Sequence, residues 1–435
     1  MKIRSLAFGM ADFFADRAGL LSRPLAAERL LAAASRRTGF ADFGAEEIAE
    51  PLQRLLDACA AEASLSAVGW LALRWDALRF LTNRLRLEAA GRSEPAIARE
   101  EIAAPIVITG LPRSGTTFLH QLMVCDPANR APLVWETIFP FPDGAVNGAP
   151  ERRAARVERQ LRMFGRLAPE FRDLHPLGAT SPQECTEVLA HTFRSLRFDT
   201  TYRIPSYRTW LEADAEGHRP AYRLQKRFLQ YLQYRPGVTG QRPQWVLKCP
   251  DHVFALAALQ EVYPDARVVF VHRDPLKVLL SVAKLTEVLR RAFSRRVDAQ
   301  AIGRGESARW LEGALRMVAE SQGGSGWQEP ICHVHYLDLI ADPVATVAGV
   351  YRHFGLALPE AAAEAIATAL EAEPNGGYGL RHYRFEEHGL DPEEERAKFR
   401  PYMRHFGVAS EPIGEPRAAG ARRPRGEAAA SAVPG

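Results

Sequence analysis

The sequence predicts an α/β protein built on a central parallel sheet with flanking helices, plus an N-terminal helical region. Short apolar, β-branched runs recur along the chain, each followed by a segment with helical spacing. The first such run enters a glycine-cornered turn, TGLPRSGTT at 109–117, that opens onto a helix. At 435 residues the chain also exceeds what one core usually holds, so helical additions to the α/β body are expected.

Taken in order, residues 26–91 carry Leu and Ala at three-and-four spacing with charges between, the pattern of a helical layer on the substrate side. PIVIT at 105–109 is the first strand, and FLHQLMVC continues as the helix after the turn. Residues 151–241 are rich in Arg and aromatics, with helical spacing in VERQLRMFGRL and AYRLQKRFLQYL. They read as a helical insertion over the ligand edge of the sheet. QWVLK at 244–248, ARVVFVH at 266–272 and ICHVHY at 331–336 are further strands, followed by helices at 251–263, 275–291 and 343–354. Strands alternating with helices imply right-handed parallel crossovers, and such sheets bind ligands beyond the carboxyl ends of their strands. Thr109, Lys248, His272 and Tyr336 stand at those ends. The expected organisation is a helical region at 1–100, an α/β domain at 101–407 with its insertion at about 150–241, and a disordered tail at 408–435.

A net charge of +4 is small for this length and gives no nucleic-acid footprint. Five unclustered cysteines, an odd number, fit a reducing cytoplasm and no disulfide framework. Asp12 and Asp16 interrupt the apolar run of the N-terminus, which makes a poor signal peptide. No apolar run reaches the roughly 18 residues of a membrane span. A soluble, cytoplasmic protein is expected. His333 and His335 alternate on one strand without a carboxylate or cysteine cluster, so no metal is expected. Cys249 reads as a small buried residue, and Asp274 as the cap of the helix starting at Pro275.

The turn nearly spells a nucleotide-binding P-loop, G-x-x-x-x-G-K-[ST]. Gly110, Gly115 and Thr117 keep the spacing, but Thr116 stands in the lysine position and Arg113 lies inside the loop. Curled backbone N–H groups, a helix N-terminus and the hydroxyls of Ser114, Thr116 and Thr117 make an anion nest. A P-loop lysine extends along a phosphate chain. Its absence predicts a ligand whose loop-bound phosphate carries no further phosphates, with Arg113 facing the group that leaves or transfers.

PRSGTT after an apolar strand resembles the 5′-phosphosulfate loop of sulfotransferases, which use 3′-phosphoadenosine 5′-phosphosulfate (PAPS). FVHRDPLKVLLSV supplies Arg273 and Ser281, eight residues apart, resembling that family's pair for the 3′-phosphate. Lys248 in WVLKCPDH resembles the lysine that contacts the sulfuryl group. Tyr336 in HYLDLIADP resembles a tyrosine near the adenine, and Phe118 takes the place of an aromatic that stacks on it. The likeness covers roughly 102–406 and is greatest to the bacterial branch. One departure is visible: where relatives carry Arg-Lys-Gly, PNGGYGLRHY stands here, leaving Arg381 and His382 to supply positive charge.

The resemblance implies a P-loop-like sulfotransferase fold and metal-free transfer of a sulfuryl group from PAPS to a hydroxyl, giving 3′,5′-ADP. The acceptor would be a small molecule, a lipid or a glycan. Lys248 and Arg113 would stabilise the sulfuryl oxygens and the departing phosphate. The base that takes the hydroxyl proton stays open between His252, four residues after Lys248, and Glu136 in PLVWETIFP, with Glu184 a further acid in the insertion. An atypical kinase or NTPase is the alternative enzyme, although no strand ends in the hydrophobic-Asp pattern that would hold magnesium. A catalytically silent nucleotide-binding protein is the other alternative, against which Arg113 and Lys248 argue.

Overall fold

The computed structural model describes residues 12 and 17 and residues 25–142, 149–174, 177–214, 217–237, 242–323, 326–372 and 384–413. Arg381, His382 and the chain from 414 lie outside the described residues.

Five parallel strands form the sheet: β1 (Ile106–Gly110), β2 (Asn129–Arg130), β3 (Gln244–Lys248), β4 (Arg267–His272) and β5 (Cys332–His335), in the order β2-β3-β1-β4-β5. Four of them match the apolar runs of the sequence to within a residue or two. Tyr336 opens the next helix instead of closing β5. The two-residue β2 is too short for any period to reveal. β1 is buried along its length, as expected of a strand covered on both faces. Its side chains alternate between two cores. Val107 joins the core that holds Trp245, Leu247, Val268 and Phe270, whereas Ile106 and Ile108 join Leu119, Val269, Val271 and Val334 on the other face.

Helices α1 (Ala27–Thr38), α2 (Ala49–Glu62) and α3 (Ala67–Ser93) add to the first of these cores. Leu52, Leu81 and Leu85 share a continuous core with Phe228 and Trp245, so the N-terminal helices and one face of the sheet belong to a single core. At the start of α3, Ser66 Oγ accepts from Gly69 N at 3.1 Å, a side-chain cap that places the helix entry. Helices that follow include α4 (Thr116–Val124), α5 (Pro150–Leu167), α6 (Arg219–Gln233), α7 (Pro275–Phe293) and α8 (Ala299–Gln322), of which all but α6 contribute to the cavity at the ligand edge. Asp274 Oδ1 accepts from Leu276 N at 3.0 Å with Pro275 in the first turn, which starts α7 as the sequence suggested.

The strand order explains where the chemistry collects. The chain leaves β1 toward β2 and β3 on one side, then crosses to β4 and β5 on the other. The carboxyl end of β1 is therefore the switch point, flanked by the ends of β3 and β4. Lys248 closes β3 and Arg273 follows β4 directly, so both border the turn that leaves β1.

That turn depends on two glycines. Gly110 has φ +141°, and a Cβ there would lie 2.4 Å from the carbonyl oxygen of Val271 on β4. Gly115 has φ +100°, and its Cβ would lie 2.9 Å from the Tyr336 ring. Gly110→Ala should cost about 3 kcal/mol, from backbone strain together with displacement of β4. Urea unfolding of the variant beside the parent checks this; an unchanged midpoint would mean β4 yields freely.

Candidate active site

Beyond the carboxyl edge lies a cavity of about 1920 Å³. Pro112, Arg113, Gly115, Thr116, Thr117 and Phe118 line it from the turn, Arg273 and Ser281 from β4 and α7, and Tyr336 from the helix after β5. The turn is shaped to hold an anion. Helix α4 starts at Gly115 without a side-chain cap, so its first-turn N–H groups point open-ended at the cavity edge. Ser114 is fully buried, and its hydroxyl has no hydrogen-bond partner among the described residues. Arg113, in the left-handed region at φ +62°, donates from Nε to Ser281 Oγ at 2.9 Å.

Arg273 is held on several sides. Its Nε and Nη2 donate to the Glu411 carboxylate at 2.9 and 3.0 Å, and its Nη1 donates to the Arg113 carbonyl at 2.9 Å. The guanidinium carbon lies 3.7 Å from the centre of the Tyr336 ring. Glu411 is anchored in turn, its N–H donating to Asp274 Oδ2 at 2.7 Å. A bidentate carboxylate thus occupies the outer edge of the guanidinium.

Lys248 carries the buried positive charge. Its side chain is 1% exposed, and its ammonium donates to Thr117 Oγ1 at 3.0 Å and pairs with Glu184. Glu184 and Thr117 both face the cavity. The ammonium absent from the turn therefore arrives from the neighbouring strand and meets the hydroxyl at the position where a P-loop threonine stands.

Neither base expected from the sequence reaches the cavity wall. His252 sits on the 3-10 turn Pro250–Phe254, buried, with Nδ1 2.7 Å from the Tyr222 hydroxyl. Burial, with the neighbouring His218, pushes its imidazole down to about 3, which makes it a weak proton acceptor. Glu136 is buried in the first turn of Val134–Ile138, where Oε2 accepts from Leu133 N at 3.0 Å and Oε1 pairs with Arg130 at 3.0 Å. It closes a helix start and neutralises an arginine.

The other half of the cavity is apolar. Val68, Leu71 and Trp75 of α3, Leu161 and Phe164 of α5, and Leu285 and Phe293 of α7 form its walls. One ionic cluster interrupts them. Arg79 donates to Asp76 at 2.8 Å and to Glu187 at 2.6 Å, and Arg197 reaches the same two carboxylates at 3.0 Å each. Burial works against the Asp76 charge, but Arg197 and Arg79 outweigh it and hold the carboxyl below its usual range. Asp251, paired with Arg309 at 2.7 Å, also faces the cavity, and burial pushes its carboxyl up. Among the described residues, no group of three or more His, Cys, Asp or Glu could hold a metal, and no helix is long and apolar enough to cross a membrane.

An oxyanion cradle at the switch point of a parallel sheet, served by a lysine from the adjacent strand, defines a P-loop-like group-transfer site. A sulfotransferase family model matches residues 105–360, and the chain belongs to that family. It is 27% identical over 262 residues to the omega-hydroxy-beta-dihydromenaquinone-9 sulfotransferase Stf3 of Mycobacterium bovis and of Mycobacterium tuberculosis. That match spans 58% of this chain and 63% of theirs, under two thirds of those relatives' length. Among solved structures, the sulfotransferase STF1 of Mycobacterium tuberculosis superposes with a TM-score of 0.72 at 30% identity, over 86% of this chain and 98% of that one. STF9 of Mycobacterium avium gives 0.78 at 25% identity, over 90% and 98%.

Sequence reasoning missed Glu411 and the Asp76–Arg79–Glu187–Arg197 cluster, and left Glu184 in the background. Asp76 and Arg79 are an i,i+3 pair on α3, but their other partners, and those of Glu411 and Glu184, lie far along the chain, where no local spacing marks them.

The buried imidazoles set a pH limit on the fold. His120, His191 and His252 are all pushed by burial from an ordinary 6.5 to about 3. Between those values the unfolded chain binds protons that the folded chain does not, so stability falls as pH drops below about 6.5. Denaturation at pH 7.5 and 5.0 should show the loss. His252→Gln should narrow the gap by about 2 kcal/mol, the share of one such group. An equal gap in the variant would mean that His252 charges in the folded state.

Proposed function

We propose that this protein transfers a sulfuryl group from PAPS to the hydroxyl of an apolar alcohol, releasing 3′,5′-ADP. The observation that carries the reading is one cavity with two halves: an oxyanion turn with Arg273 and Ser281 on one side, long apolar walls on the other. The donor has two anionic ends, and the residues present fit both. The unsatisfied Ser114 hydroxyl and the uncapped start of α4 suit the phosphosulfate. Arg273, already gripping a carboxylate, and Ser281 suit the 3′-phosphate. Tyr336 and Phe118 offer aromatic faces beside the turn for the adenine.

In this reading Glu184 is the base. It borders the cavity and pairs with Lys248, which adjoins the turn through Thr117. An acceptor hydroxyl against Glu184 loses its proton to that carboxylate as the new S–O bond forms and the bond to the phosphate oxygen breaks. Lys248 and Arg113 meet the negative charge that grows on the departing phosphate. The apolar walls favour a large hydrophobic acceptor, since about 1920 Å³ is roughly twice the upper end of an ordinary small-ligand pocket. The relative Stf3 is named for an omega-hydroxylated menaquinone, an acceptor of that character.

Three measurements test the reading. Melting should rise with 3′,5′-ADP and not with ATP plus magnesium; stabilisation by ATP–magnesium alone overturns it. Glu184→Gln should slow single-turnover transfer by about 10²–10⁴-fold while 3′,5′-ADP binds within about threefold of the parent; a loss of only a few fold assigns the base elsewhere. Glu411→Gln should tighten 3′,5′-ADP by about five- to tenfold, because the competing carboxylate is gone, and leave 5′-AMP unchanged. The same change for both ligands would show that Glu411 does not compete at the 3′ end.

A further inference from the structure

The mouth of the cavity carries apolar groups where a soluble surface would be polar. Met163 is 69% exposed, Leu71 53% and Trp75 42%, and all three line the cavity. Of the eight large hydrophobic side chains exposed among the described residues, these and two more, Ile340 and Ile413, border this one cavity. Scattered exposed apolar residues need no explanation, but a concentration at one rim does.

Arginines accompany them in register. On α5 the exposed residues Arg159, Arg162, Met163 and Arg166 fall at i, i+3, i+4 and i+7, one outward stripe, while Val157, Leu161 and Phe164 turn toward the cavity. On α3 the exposed stripe is Leu71, Arg74 and Trp75. The sequence at 159–169 and at 67–75 contains no Asp or Glu, and Glu158, which precedes the α5 stripe, accepts from Ala179 N at 3.1 Å. The nearest following acid, Glu170, lies 3.6 Å from Lys284. Two helices flanking one opening thus present apolar side chains among cations. Apolar groups at the acyl boundary with arginines at the headgroups is the arrangement of a surface that lies on anionic lipid.

We infer that the α3–α5 rim docks on an anionic bilayer, so that an apolar alcohol dissolved in the membrane moves into the cavity without crossing water. The inference rests on the apolar-acceptor reading for its purpose, but its geometry stands apart from the chemistry.

The test is co-sedimentation of the full chain with vesicles of phosphatidylcholine alone or with about 30% phosphatidylglycerol, at about 0.1 M and 0.5 M salt. Binding should be at least about tenfold stronger to the anionic vesicles and should weaken at high salt. The charge reversal R159E/R162E should lower anionic binding about tenfold, and Met163→Ser should lower it several-fold. For each variant, unchanged 3′,5′-ADP affinity shows that the fold is intact. Equal binding to both vesicle types, or no effect of R159E/R162E, overturns the proposal. A loss confined to K2E/R4E also overturns it, by moving the contact to the N-terminal segment. If vesicle binding holds while 3′,5′-ADP fails to bind, the proposed reaction falls and the docking surface stands.

Discussion

The site is organised around a buried ammonium. Lys248 ends a central strand, with its charge taken out of water and met by the Thr117 hydroxyl and the Glu184 carboxylate. A charge so placed is tolerable only with partners, and removing either would leave the other costly. This constraint ties three distant segments together: the turn after β1, the end of β3, and the insertion that carries Glu184. The sheet order makes the meeting possible, since β3 and β1 are hydrogen-bonded neighbours with Ile108 opposite Lys248. A lysine inside the turn would supply charge along the loop itself. One from the side leaves the turn free and places the ammonium beside it, where Thr117 and Glu184 both border the cavity.

What the sequence made legible was local. The β1 turn, its two glycines, the strands on either side, and the eight-residue interval from Arg273 to Ser281 are all carried by short-range pattern. The two candidate bases show where such pattern fails. His252 follows Lys248 closely, but the 3-10 turn between them directs the imidazole into the core against Tyr222. Glu136 follows the α4 helix at a plausible distance, but three residues back stands the N–H that it caps. In both, proximity along the chain was read as proximity to the cavity, and side-chain direction decided otherwise. Glu411 and Glu187 carry the opposite lesson. Their partners lie 138 and 108 residues away, so only the folded chain brings them together.

The ionic cluster in the apolar wall has a structural logic of its own. Asp76 and Arg79 come from α3, while Glu187 and Arg197 come from the insertion. Each carboxylate receives both arginines, so the insertion is fixed in register against α3 by paired charges in a poorly solvated place. Hydrophobic contact alone permits sliding; a lattice of alternating charges tolerates very little, because a slip would leave a charge unpaired away from water. The cluster therefore holds Glu184, which stands just before the helix Cys185–Leu189 and three residues before Glu187, against the sheet edge where Lys248 meets it.

The same reasoning applies to Arg273. Its guanidinium is held by a carbonyl, a carboxylate and an aromatic face, so its orientation is decided before any ligand arrives. Preorganisation of this kind lowers the ordering cost of binding. The Glu411 carboxylate acts in the other direction, because any oxyanion drawn to this guanidinium would have to displace a bidentate partner of similar geometry. Under the proposed donor site, net affinity at that end would be a difference between two strong interactions. In the proposed reaction the departing bisphosphate would leave behind a guanidinium that is already oriented and that the Glu411 carboxylate pairs again, so that no cation stays unpaired.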